Sequence, residues 1–129
     1  MPPRRRQATA DDLLTKRART QELAITVPGD KGDDQLIVSL TSISSTAYDQ
    51  LLAEHPPTKD QLKEGNTYNP DTFAPALISE VMSEPKLTVE QATAIWKGET
   101  WNRGELRDLF MGCVNLCQRG LDIPFMPAD

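Results

Sequence analysis

The fold class turns on residues 21–43. They read Gln21-Glu22-Leu23-Ala24-Ile25-Thr26-Val27, then Pro28-Gly29-Asp30-Lys31-Gly32-Asp33-Asp34, then Gln35-Leu36-Ile37-Val38-Ser39-Leu40-Thr41-Ser42-Ile43. Leu23, Ile25 and Val27 alternate with polar or small residues, the period of a strand with one buried face. The middle seven residues hold a proline, two glycines and three aspartates, a dense turn signal. Leu36, Ile37, Val38, Leu40 and Ile43 then resume the apolar pattern. Two strands around a glycine-rich loop read as a β-hairpin or a two-strand edge unit. This is the only strong β signal in the chain.

After Ile43 the signals are helical. Ser44 or Ser45 caps a helix containing Tyr48, Leu51 and Leu52, and His55-Pro56-Pro57 stops it. Thr58 and Gln61 stand at capping-box spacing before a short helix over Lys59 to Glu64, closed by Gly65. Tyr68-Asn69-Pro70-Asp71 is a turn into the next helix, where Phe73, Leu77, Ile78, Val81 and Met82 keep helical spacing. Pro75 is tolerated there if it lies in the first turn, and Pro85 ends the segment. Thr88 with Gln91 opens a helix carrying Val89, Ala92, Ile95 and Trp96, with Gly98 in the C′ position. Asn102 with Glu105 opens the last helix, whose apolar face holds Leu106, Leu109, Phe110, Cys113, Leu116 and Cys117. Arg119 suits its C-terminal dipole and Gly120 ends it.

The predicted fold is therefore α+β and mainly α: an N-terminal hairpin followed by a bundle of four or five short helices. Residues 1–20 read as a flexible basic arm in which Asp11-Asp12-Leu13-Leu14 starts a short helix. Residues 21–120 form one globular domain, and 121–129 an extended tail. A chain of 129 residues and 14.3 kDa has room for one domain of ordinary size. Its 38% hydrophobic content is thin, so a core closes only if part of the chain stays outside. An isolated hairpin is marginal in water. It must pack on the helices or pair with another copy, which leaves a homo-oligomer open.

The charge is divided. Residues 1–19 carry +4 and the other 110 carry −9, for a net −5. A basic arm acting through Arg4 to Arg6 would bind DNA with steep salt dependence, lost on deleting residues 1–19. The acidic body repels a phosphate backbone, so nucleic acid is not the expected partner. No apolar run approaches the roughly 20 residues of a membrane span, and no apolar segment follows the basic N-terminus to make a signal peptide. The expected compartment is cytosolic. Two cysteines cannot build a disulfide framework and fit free thiols.

The chain offers little for catalysis. His55 is the single histidine, and its place before two prolines gives it a structural or solvent role. No G-x-S-x-G elbow and no P-loop is present. Cys113 and Cys117, four apart on an apolar helix face, read as small buried hydrophobes; three Cys and His in all fall short of a structural zinc set. Asp30, Asp33 and Asp34 lack EF-hand spacing. No base, nucleophile and oxyanion site assemble, so no enzyme, cofactor or metal is expected. Trp96 and Trp101 flank a four-residue link, where they pack between the last two helices or bind a partner.

Several strings of the second half carry a resemblance. They are Tyr48-Asp49-Gln50-Leu51-Leu52-Ala53-Glu54-His55-Pro56-Pro57-Thr58, Tyr68-Asn69-Pro70-Asp71-Thr72-Phe73-Ala74-Pro75-Ala76-Leu77-Ile78, and Glu84-Pro85-Lys86-Leu87-Thr88. Ile95-Trp96, Trp101-Asn102-Arg103-Gly104-Glu105-Leu106 and Gly120-Leu121-Asp122-Ile123-Pro124-Phe125 complete the set. In this order, over roughly residues 46–126, they resemble the tail assembly chaperones of long-tailed, siphovirus-type actinobacteriophages. The resemblance implies a non-enzymatic late protein that binds the phage tape measure protein and keeps it soluble during tail tube polymerisation. It implies action in the host cell cytoplasm and absence from the mature virion. It also implies contact with the tail tube protein and with a longer form of the chain made by ribosomal frameshift. Such a holdase needs apolar surface and adaptable side chains, for which Met82, Met111 and Met126 are candidates. The expected contact surface lies near Trp96, Trp101, Phe110 and Met111. The alternative, from a different class, is a structural virion component such as a minor tail or head–tail connector protein.

Overall fold

The alternating segment folds as a hairpin. In the computed structural model, which describes residues 5–118, β1 (Thr20–Gly29) and β2 (Gly32–Thr41) pair antiparallel in unbroken register from Thr20↔Thr41 to Gly29↔Gly32. The turn is tighter than the seven-residue loop expected: only Asp30 and Lys31 lie between the strands. Mirror-image hairpin turns require positive φ at a central residue, yet no non-glycine described residue has it. Gly32, at φ +115°, takes that conformation just after the turn, where a Cβ would strain it. At the other end Arg19 N–H donates to Ser42 Oγ at 3.0 Å and Ser42 N–H to Arg19 O at 2.8 Å, extending the pairing by one residue.

A third strand joins the pair. Helical spacing predicts one helix through Met82, but the helix ends at Val81 and Met82 turns extended (φ −70°, ψ 113°). Met82 opens β3 (Met82–Glu84), which pairs antiparallel with β2 through Leu40↔Met82 and Ser39↔Glu84, with a register shift between the two. The sheet order is β1-β2-β3, so β2 is central. Hydroxyls tie its outer face. Ser83 Oγ donates to Ser39 O at 3.2 Å and accepts from Thr41 Oγ1 at 3.0 Å. Thr41 has then spent its hydrogen, so Thr20, 3.2 Å away, is the donor in the next bond.

Among the described residues six helices complete the α+β fold: α1 (Ala10–Leu14), α2 (Ser45–Ala53), α3 (Lys59–Lys63), α4 (Pro70–Val81), α5 (Val89–Lys97) and α6 (Arg103–Gln118). The caps follow the residues that announce them. Thr58 and Thr88 each accept from the backbone three residues on, and Gln61 and Gln91 return the bond. Asn102 and Glu105 do the same, at 2.8 and 3.0 Å. Ser44 caps α2 and Asn69 caps α4, with Pro70 in its first position. Two details differ from expectation. Pro75 is the sixth residue of α4, not within its first turn, and its missing N–H leaves the Asp71 carbonyl without a helix bond. Gly98 ends α5 as an extended C-cap (φ −75°, ψ 173°), not as a left-handed C′ residue.

The helices gather on α4, from which Phe73 to Ser79 and Val81 are all buried. It packs against α2, α5 and α6, while α6 also lies on β1 and β2. That sheet face carries Leu23, Ile25, Val27, Val38 and Leu40. Gly112 permits the close approach of α6, since a Cβ there would sit 3.0 Å from a Leu23 methyl and 3.6 Å from one of Leu40. α1 lies apart: it buries no residue, and Arg6 holds Asp12, the N3 partner of its N-cap Thr9, at 2.6 Å. Arg119 and Gly120, predicted to end the last helix, and the predicted tail 121–129 lie outside the described residues.

Candidate functional site

The four side chains singled out by sequence fall on two adjoining helices and the link between them. Trp96 stands on the last turn of α5, Trp101 in the link, and Phe110 and Met111 on α6. Trp96 and Phe110 meet edge to face, ring centres 5.8 Å apart at 65°. Phe110 in turn meets Phe73 of α4 at 6.2 Å and 89°. Offsets of this kind place the positive edge of one ring on the negative face of the next and are worth about 0.5–1.5 kcal/mol each beyond burial. Trp101 is half-buried against the same core. Met111 differs: it is 39% exposed and turns away from the core. So three of the four are rooted in the interior and show one side to solvent, while Met111 is free to touch a partner. Met82, an expected adaptable contact, is 3% exposed and belongs to the core instead. Met126 lies outside the described residues.

The aromatic chain reaches further than the sequence foretold. Phe73 also meets Tyr48 at 5.7 Å, Tyr68 at 5.0 Å and His55 at 6.3 Å, all edge to face. These contacts account for His55. Its Nδ1 lies 2.8 Å from Thr72 Oγ1, and its carbonyl accepts from Asn69 N–H at 2.8 Å. The histidine thus ties the end of α2 to the start of α4, a structural post.

The two cysteines are free thiols on the face of α6 turned to the core. Burial pushes the Cys113 thiol up to about 12, with the neighbouring Cys117 adding to it. Burial raises Cys117 as well, against a backbone hydrogen bond from Ile43 that lowers it. Both thiols are therefore protonated at neutral pH, the unreactive form. Among the described residues no group of three His, Cys, Asp or Glu is placed to hold a metal ion, and no helix is long and apolar enough to cross a membrane.

A shallow hollow of about 500 Å³ lies beside α5, lined by Val89, Glu90, Thr93, Ala94, Lys97 and Gly98. Sequence reasoning missed it. Val89, 48% exposed, stands at the first position of α5. The hollow is open, with one acid and one base at its rim, and contains none of the four predicted side chains. Together, Met111, the exposed sides of Trp96, Trp101 and Phe110, and this hollow give α5 and α6 accessible apolar surface beside charge. No known protein family, no curated protein and no solved structure matches this chain.

Proposed function

We propose that the chain is a non-enzymatic tail assembly chaperone of a long-tailed bacteriophage. It binds the tape measure protein and keeps it soluble while the tail tube polymerises, in the host cytoplasm. The observation that carries this reading is the ordered set of strings from Tyr48 to Phe125. The binding body is the bundle of helices that follows the hairpin, with contacts centred on Trp96, Trp101, Phe110 and Met111. An amphipathic client helix lays its apolar stripe on such a surface through a few anchors, with adaptable methionine among them. The net charge of −9 outside the basic arm keeps the loaded complex soluble.

The test is co-expression with the tape measure gene of the same phage. Full-length tape measure should stay soluble and co-purify, and Met111→Lys should release it with an unchanged circular dichroism spectrum. Co-purification indifferent to Met111→Lys and to Trp101→Ala would move the contact elsewhere. Purified virions separate this from the second reading, a structural tail or connector component: a chaperone should be absent from them, a structural subunit present. The native gene with its downstream DNA should also yield a longer product sharing this N-terminus.

A further inference from the structure

The outer edge of β1 is open. β1 ends the sheet, and among the described residues no strand pairs with its second side. Ten residues of strand present roughly 33 Å of unpaired backbone donors and acceptors. The opposite edge, β3, is three residues long. Edge strands are usually blunted by charge or proline. Here the protection is slight: Glu22 is the only charged residue of β1, and Pro28 sits next to the turn.

We propose that this edge pairs antiparallel with β1 of a second copy of the chain, making one six-stranded sheet about a two-fold axis. Parity allows it. A two-fold axis perpendicular to the sheet keeps both core faces on one side only if paired residues are an even number apart. Centring the axis on Ala24 meets this condition. It sets Leu23 beside Ile25 of the second copy on the core face, and the small, exposed Ala24 beside its own counterpart outside.

Charge selects a second copy over other strands. In this register the exposed segment Lys16-Arg17-Ala18-Arg19 of each chain runs beside the turn of the other, which carries Asp30, Asp33 and Asp34 with Lys31. Three cations thus meet three carboxylates and one cation, twice by symmetry. None of these seven basic and acidic residues forms an ion pair with another described residue of its own chain.

The test is sedimentation velocity on the full chain over a concentration series. A dimer of twice 14.3 kDa is expected, weakening as salt is raised. Ala24→Lys places two like charges together on the axis and should raise the dissociation constant at least about tenfold, with native circular dichroism. Arg17→Glu with Arg19→Glu should weaken the dimer similarly, and adding Asp33→Lys with Asp34→Lys should restore it. The charge swap needs no change within β1, so it decides even if Ala24→Lys fails to fold. A monomer at every concentration overturns the proposal. So does a dimer indifferent to these variants, or one that appears only after residues 119–129 are deleted, which would give the edge to the chain's own tail.

Discussion

At Cys113 burial sets the chemistry, with Cys117 adding to it. Its side chain is fully enclosed, and its thiol is raised from 9.0 to about 12. An alkylating reagent at neutral pH should modify half-buried Cys117 slowly and Cys113 only when the chain unfolds; equal rates at both would mean the face of α6 is open. The shift also fixes a pH dependence. The folded chain disfavours the thiolate, so the stabilising contribution is complete below pH 9 and is lost as pH rises toward 12. The denaturation midpoint should fall across that window, and Cys113→Ala should flatten the fall. Two glycines make a second contrast. A Cβ at Gly98 would lie 2.5 Å from the Ala94 carbonyl oxygen, whereas one at Gly104 meets nothing nearer than Asn102 Oδ1 at 3.5 Å. Gly98→Ala must push backbone aside and should cost about 1 kcal/mol or more. Gly104→Ala, at a helical position with room, should gain roughly 0.5 kcal/mol. Urea midpoints moving in opposite directions check both.

Among the elements, legibility follows the range of the interaction that makes each one. Capping is settled within four residues, so Thr58, Thr88 and Asn102 announce their helices in the sequence, and the side-chain bonds close as reciprocal pairs. Thr88→Ala removes the acceptor for the Gln91 N–H and should cost about 1 kcal/mol, read as a lower denaturant midpoint with an unchanged slope. Thr88→Ser, which keeps the oxygen, should recover most of it. Thr9 and Asp12 form the same box before a helix of only five residues. The hairpin is legible for a related reason: its register is fixed by a local turn and a period of two. β3 is not legible. Three residues show no period, and its partner Leu40 lies some forty residues earlier. Met82 suits a helix by its spacing and a strand by its pairing. The buried position on which both readings agree survives, while the element does not.

For the molecule as a whole, the question is whether the proposed contact surface can change without the fold. The side chains proposed to form it stand out in the sequence as aromatic and methionine residues, but sequence spacing does not say how deeply each one is rooted. Phe73 supplies that link. It is 1% exposed and meets rings from α2, from the link before α4 and from α6, so it joins elements distant in the chain. Phe73→Ala should cost about 3–5 kcal/mol, much of the 5–15 kcal/mol total stability of an ordinary domain. Far-UV dichroism and aromatic fluorescence should then be lost together at lower denaturant. Trp96 and Phe110 hang on the same ring, so truncating either disturbs the core as well as the surface, and a loss of binding there would be ambiguous. Met111 stands outside the core cluster and is 39% exposed. Met111→Lys should shift stability by no more than about 0.5 kcal/mol, the usual range for an exposed site. If binding is lost at Met111→Lys with the midpoint unmoved, the surface acts through contact. If binding falls only in variants that also lower the midpoint, the aromatic cluster is a core feature and the client docks elsewhere.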